Sequence, residues 1–573
     1  MVLTKVIRQL PTSLALILIS ISSFCWSFYN LENSSFYPLF FNATTLVVST
    51  IVLVFASVKK IPFQYHKIDV LVFIYLIYNI ISTCFNGCYN VQYHQYDVYN
   101  YICYLWIYFV ARVLIPNFLS INHAITILLA IALVICRQFI THKNILIINS
   151  GLLAGYLCAL LPLSIILFKR KNYIRNFIIL LGLILMLAAI LMADSRTAII
   201  ALISTAFLYF GSKVKSKKRI WFAGFMLILV CGLSILLYFK RPESFNGRIL
   251  IWKIAFSIPK GNNFIFGKGI GYIDRQFNRH QKNYFENSNR NLSEQQLADD
   301  THAVFNEPLR ILIEAGLIGL VILSYLLFCV YRTGLINLIN DNKAQVFLKL
   351  SISSILIFGL CSYPFQSYSI SSLFYILLAI FAGLDKKDSK VLPPRFGLYV
   401  LLFICSSYFL FIVSKTIYAT KEWVNAKQLN WQYNEAKAWN IYNNQNNVLR
   451  YNGNFLADYG QKLNISGYHK EAEFVLSNAL VQHYSVANLL NAGYNEELML
   501  NFRKAEQFYL NASCTMPKMI SPRFYLFNLY VKNGLTKKAI EQGLIILSTP
   551  IKVPSKEVDE MRNTVAKYLI DND

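Results

Sequence analysis

About thirteen apolar runs divide the chain, each close to the roughly 20 residues that a helix needs to cross a hydrocarbon core. They centre in 13–29, 39–58, 68–85, 99–115, 122–136, 150–168, 174–193, 197–211, 220–239, 311–330, 347–362, 367–384 and 396–414. The fifth and eighth are short, which leaves twelve as an alternative count. Composition agrees with a polytopic membrane protein. Of 573 residues, 56% are hydrophobic and 14% charged, against about 25% charged in ordinary soluble chains. Too few charges remain to cover a soluble enzyme of this size, and disorder is excluded on the same grounds. The first run follows Lys5 and Arg8 like a signal peptide. No small-residue cleavage site follows it, and Trp26 and Tyr29 read as interfacial anchors, so it is expected to be a helix.

The net charge is +25, from 54 Lys and Arg against 29 Asp and Glu. It is spread over short loops, where positive charge sets membrane orientation; nucleic acid is not the expected partner. The densest basic loops are Lys169–Arg175, Lys213–Arg219, Lys59 with Lys60 and Lys67, and Lys386, Lys387, Lys390 and Arg395. Thirteen crossings with a cytoplasmic N-terminus put all four on one side. Residues 240–310 and everything after about 415 then face the other side. Eleven cysteines include no C-x-x-C pair, which argues against zinc or thioredoxin-type chemistry. Cys84 and Cys88, the one close pair, read more readily as two unrelated small residues than as a disulfide.

Residues 416–573 are polar, rich in Asn and Tyr, and repetitive. Ala472, Ala505 and Ala539 recur at spacings of 33 and 34 in similar contexts. That is the tetratricopeptide period, in which one helix pair stacks on the next. Gly460 and Gly493 precede their repeat alanines by twelve residues, while Phe527 stands at the third such position. The reading is a short helical-repeat domain that binds a protein partner or braces its neighbour. The expected organisation is therefore a membrane domain at 1–415, containing a large loop at 240–310, followed by the repeat domain.

Ionisable residues near membrane depth are functional candidates because leaving them there is costly. Arg196, in MADSRTAIIAL at the tip of a tight hairpin, pairs with Asp194 or forms an anion site. The large loop holds eleven Lys and Arg and seven Asp and Glu. It opens with Arg248 and Trp252, four apart and so on one helix face; Trp252 suits a membrane interface. Gly267, Gly269 and Gly271 form G-x-G-x-G. A nucleotide loop would need a βαβ setting that this chain lacks, so a tight turn is expected. Arg275, Arg279 and His280 cluster as a solvated face or a second diphosphate contact. The loop ends with His302, Asn306 and Glu307 at the membrane mouth. His is the side chain suited to proton transfer near neutral pH, and its basic and acidic company raises His302 above His94 and His142. Glu314, inside an apolar run, needs a polar partner, and Arg310 lies one turn earlier.

These residues resemble the superfamily of O-antigen ligases, Wzy-type O-antigen polymerases and bacterial protein O-oligosaccharyltransferases. The similar pieces are SRTAIIAL with Arg196, R-x-x-x-W at Arg248 and Trp252, GKGIG, and the stretch from Asn306 through Glu314, Gly316 and Gly319. The resemblance covers roughly residues 10–415. It implies an all-α polytopic membrane protein of about 12–13 transmembrane helices, GT-C-like in architecture, with the C-terminal helical-repeat domain added. The family usually has His directly before the Asn, nine residues before the Glu; here that position is Phe305. If the segment is helical, His302 lies one turn back on the same face and can substitute. If it is extended, the equivalence fails.

The implied activity is metal-independent and cofactor-free transfer of a glycan from undecaprenyl diphosphate to an acceptor hydroxyl. It would take place at the periplasmic face of the bacterial inner membrane, among membrane lipids. His302, Arg248 and Arg196 are the implied catalytic residues. Arg275, Arg279, Asn306, Glu307 and Trp252 would contact diphosphate or glycan. The acceptor expected first is lipid A–core, as in O-antigen ligation. A protein Ser or Thr comes next, then a growing glycan, with a non-enzymatic transporter or scaffold last. Transporters show paired internal repeats, and no symmetric pair is visible.

Overall fold

The computed structural model describes residues 13–24, 36–60, 63–86, 95–117, 119–141, 149–169, 172–214, 242–286, 292–332, 343–384, 390–392, 396–429, 431–551 and 554–572, with isolated positions between 218 and 239. Lys5, Arg8, Trp26, Tyr29, Cys88, His94, His142, Arg219, Lys386, Lys387, Arg395 and most of the ninth apolar run lie outside the described residues. The chain divides into two compact units. The first comprises 1–240, 262–270 and 305–424, and the second 241–261, 271–304 and 425–573.

In the first unit, the other twelve apolar runs are helices. Among the described residues, six helices are long and apolar enough to cross a membrane: Pro38–Val58, Lys67–Phe85, Asp97–Ile115, Ile121–Thr141, Tyr173–Met192 and Val400–Gln428. Shorter apolar helices include Ser150–Ile166, Gly316–Tyr331 and Tyr368–Leu384. The fold is all-α and polytopic, as the hydropathy pattern requires. Leu and Ile on the helix Tyr173–Met192 remain largely exposed, with Ile178 at 60% and Leu191 at 67%; such a surface needs an apolar solvent. By contrast, the helices Ser150–Ile166 and Lys343–Gly359 pack closely, Phe358 lying over Gly155 where a Cβ would come within 2.6 Å of its ring.

Polar groups inside this unit are tied to one another. Arg112 grips Asp69 with two bonds, Nε to Oδ1 at 2.7 Å and Nη2 to Oδ2 at 3.0 Å. Tyr108 and the backbone N–H of His66 also donate to that carboxylate. A charge at such depth persists only when paired and hydrogen-bonded in this way. One small element falls outside an all-helical description. Phe63–Tyr65 and Lys390–Leu392 pair as antiparallel strands, Gln64 opposite Val391.

The second unit carries the repeats. First helices Gly453–Ile465, Val486–Leu498 and Ile520–Lys532 alternate with second helices His469–Gln482, Phe502–Thr515 and Thr536–Ser548, and Lys556–Asp571 follows. Equivalent helices begin 33 and 34 residues apart, the period seen in the sequence. Ala472, Ala505 and Ala539 are fully buried. Gly460 admits Leu476, and Gly493 admits the Tyr509 ring at a distance where a Cβ would come within 2.4 Å. Phe527, in place of a third glycine, is itself buried and packs edge-on against Tyr568. The loop helix Tyr272–Glu286 belongs to this unit and packs on Phe502–Thr515. Gln276 and Gln281 donate to the carbonyls of Val481 and Thr515, and Arg275 accepts from the Tyr484 N–H.

Candidate functional site

The first unit contributes a short helix, Glu307–Glu314, whose start and finish are both fastened. Asn306 caps it, its Oδ1 accepting from the Leu309 N–H at 2.9 Å while its Nδ2 donates to the Leu360 carbonyl. Pro308 falls in the first turn, where its missing N–H costs nothing. At the other end the GKGIG turn supplies the bonds. Lys268 and Gly269 donate their N–H groups to the carbonyls of Ile313 and Glu314, at 2.8 and 2.9 Å. Gly267 and Gly316 make this approach possible. Both have positive φ, and a Cβ on either would come within 2.3 Å of the other segment's backbone. The expected tight turn is therefore a clamp on the helix C-terminus.

Along this helix Arg310 lies between two carboxylates, with Nε to Glu307 at 2.6 Å and Nη1 to Glu314 at 2.7 Å. All three side chains are buried. The partner expected for Glu314 is thus in place. Glu307 is committed further, its second oxygen accepting from the Phe365 N–H. As placed, it braces the turn Pro364–Gln366.

His302 lies in the second unit, on a nonhelical segment that Trp252 holds by donating its indole N–H to the Val304 carbonyl at 2.8 Å. Its Nδ1 meets Asp274 Oδ1 at 2.9 Å, and its Nε2 is 3.8 Å from Asp300 Oδ2. The His483 ring stacks on it, centroids 5.8 Å apart and planes within 6°. Asp300 is itself held by Asn278, which also accepts from the Thr301 N–H. The hydrogen bond to Asp274 raises the His302 pKa above the ordinary histidine value, against partial burial, and the charges of Asp274 and Asp300 add to the rise. The Asp274 side chain is more than half exposed, and His302, with help from His483 and Arg275, holds its carboxyl below the ordinary value. Burial pushes His483 down. Two stacked imidazoles thus differ in basicity, and the more basic one is oriented by a carboxylate. His302 thus lies between two carboxylates, Asp274 at Nδ1 and Asp300 near Nε2.

The other expected residues are distributed as follows. In the second unit, Arg248 and Trp252 share the helix Pro242–Phe256. Arg275 follows Asp274 and bears on the charge of both Asp274 and His483. Arg279 lies over the Tyr484 ring at 5.0 Å, and His280 bonds the Tyr272 hydroxyl. Arg196 is in the first unit, half-buried, the first residue of a helix capped by Ser195. The sequence left two paths open for the segment before Asn306. Residues 301–306 are not helical, because Asn306 caps a helix that only begins at Glu307. His302 therefore does not stand one helical turn behind the Asn306 position. Phe305 instead takes a φ of 54° and packs edge-on against Tyr363. Sequence reasoning missed Asp274 and His483 entirely. They lie 28 and 181 positions from His302, and no local spacing connects them.

Comparison with known proteins adds one match. The family model described as O-Antigen ligase matches residues 181–324. No curated protein and no solved structure matches the chain. The matched stretch contains Arg196, Arg248, Trp252, the glycine clamp, His302 and the helix Glu307–Glu314. Residues 181–324 are thus similar to the O-antigen ligase family, within a chain whose helices are those of a polytopic membrane protein.

Proposed function

We propose that the protein transfers a finished glycan from undecaprenyl diphosphate to an acceptor hydroxyl of lipid A–core, at the periplasmic face of the inner membrane. The observation that carries this reading is the Asp274–His302 pair within the O-antigen ligase domain. Asp274 holds the proton on Nδ1, which leaves Nε2, 3.8 Å from Asp300 Oδ2, as the nitrogen to receive a proton from an incoming hydroxyl. That nitrogen accepts the hydroxyl proton as the acceptor oxygen attacks the anomeric carbon and the diphosphate departs. Negative charge grows on the departing diphosphate. Guanidinium groups match phosphate oxygens in pairs, and Arg248 and Arg196 are each assigned to that role. A contact that strengthens as charge develops accelerates departure rather than merely binding substrate. Arg275 and Arg279 are assigned to the glycan or diphosphate. Trp252 holds the backbone segment that carries His302, while Asn306 and Glu307 fasten the helix Glu307–Glu314 in the first unit.

In vitro transfer tests this reading. Purified wild type and the His302→Ala, Arg248→Ala and Arg196→Ala variants receive an undecaprenyl-diphosphate glycan with lipid A–core or with a Ser- and Thr-containing peptide. Glycan on lipid A–core, lost in the variants, is the expected result. Glycan on peptide alone would make the protein an O-oligosaccharyltransferase, and longer carrier-linked glycans would make it a polymerase. Variants indistinguishable from wild type would overturn the site.

A further inference from the structure

The helical repeats enclose a cavity of about 270 Å³ between the helices His469–Gln482, Val486–Leu498 and Phe502–Thr515. Its lining is uneven in chemistry. Glu473, Asn495 and Glu496 supply acceptors, Leu476, Ala492 and Phe508 an apolar wall, and Lys504 the one positive charge. Lys504 is 2.9 Å from Glu473 and 3.7 Å from Glu496. Two carboxylates thus share one ammonium. Glu496 is 3% exposed and Asn495 1%. The Asn495 side-chain oxygen has no hydrogen-bond partner, although buried acceptors are nearly always satisfied. Burial holds the Glu496 carboxyl above its ordinary pKa even with Asn501 donating to it. The cavity therefore sets two carboxylates against one ammonium and holds a buried acceptor that no donor meets.

We propose that this cavity receives the side chain of a lysine or arginine from a partner polypeptide. The aliphatic stem of such a residue suits the wall of Leu476, Ala492 and Phe508, and its cationic tip suits Glu473, Glu496 and Asn495. Long basic side chains divide between apolar and charged surroundings in this way. Gln507 and Asn511, four apart on one face of the helix Phe502–Thr515, also line the cavity. Their amides both donate and accept, which matches the peptide groups flanking a bound side chain. An amino sugar would bring the cation, but its hydroxyls would meet the apolar wall.

The test uses the full chain, purified in detergent, and fluorescent heptapeptides with a central lysine, arginine or norleucine between neutral flanks. Lysine and arginine peptides are expected to bind at least about tenfold more tightly than the norleucine peptides, as a charge-assisted contact requires. Glu496→Gln and Asn495→Ala should each erase most of that preference, while Glu557→Gln, on an exposed carboxylate of the last helix, leaves it intact. Should Glu496→Gln fail to fold by circular dichroism, Asn495→Ala reads the same contact. Equal binding of lysine and norleucine peptides would overturn the proposal. So would glucosamine displacing the lysine peptide more effectively than free N-acetyl-lysine amide does, since the occupant would then be a sugar.

Discussion

Replacing Gly267 with alanine tests whether the glycine clamp is what holds the helix Glu307–Glu314. The new Cβ would lie 2.3 Å from the Glu314 carbonyl oxygen, 2.5 Å from its carbon and 2.6 Å from the Gly316 nitrogen. All three are backbone atoms, so no rotamer change relieves the clash and the turn must lift. Lifting breaks the Lys268 and Gly269 bonds to the Ile313 and Glu314 carbonyls. Two such bonds are worth about 0.5–1.5 kcal/mol each. The left-handed φ adds about 1–2 kcal/mol for a residue with a Cβ. The expected loss is roughly 2–5 kcal/mol. Gly261 provides the control. Its φ is also positive, at 57°, but nothing stands within 4 Å of its Cβ position. Gly261→Ala should show the conformational cost alone, about 1–2 kcal/mol. The assay is tryptophan-fluorescence melting of both variants in detergent, followed by glycan transfer. Gly267→Ala should melt several degrees below Gly261→Ala and lose transfer, because the Arg310 carboxylate pair rides on the displaced helix. Equal melting temperatures would refute the clamp.

Further tests concern the dyad, the cap and the repeats. Asp274→Asn removes the cause of the raised His302 pKa, so the acid limb of the pH–rate profile should move to lower pH while the plateau rate falls; an unmoved limb would separate His302 from the rate. The same pair gives stability a pH signature. Its histidine contribution is fully present below the ordinary value of 6.5 and disappears as pH rises through the raised pKa, while its aspartate contribution disappears as pH falls below 3.8 through the lowered pKa; melting against pH for wild type and Asp274→Asn reads both. Asn306→Ala should cost about 1 kcal/mol through the lost cap, with more lost at Leu360, and a melting temperature equal to wild type would sink this. Gly493→Ala drives a Cβ into the buried Tyr509 ring and should cost about 1–3 kcal/mol, seen as a loss of helical signal at lower temperature.

Local periodicity carried the parts of the molecule that repeat or run on. The apolar runs became helices because a bilayer leaves their backbones no other solution. Ala472, Ala505 and Ala539 could be recognised because each repeat must bury the same small residue at the same crossing. Arg310 and Glu314 were legible as a pair because four residues is one helical turn. What escaped was joined across long sequence distances by single contacts. Gly267 and Gly316 are both visible as motif glycines, but nothing in the sequence says that they face each other. Asp274 looks like any first-turn acid of a helix until His302 arrives beside it. Glu307 reads as a mouth carboxylate, and its bonds from Arg310 and the Phe365 N–H show that it is occupied. The nonhelical path before Asn306 follows from capping, a feature that the sequence offers as Asn-Glu-Pro without indicating where the preceding chain goes.

The small strand pair constrains, by parity, the membrane topology of the chain between its two strands. Two segments that hydrogen-bond to each other, Phe63–Tyr65 and Lys390–Leu392, must emerge on one side of the bilayer. The chain between them therefore crosses an even number of times, whatever the length of any one helix. If one apolar run between residues 65 and 390 lay flat in the interface, a second would have to do the same. Three residues of ladder thus make loss or gain of a single span between residues 65 and 390 incompatible with this fold, while loss or gain of a hairpin there remains open to it.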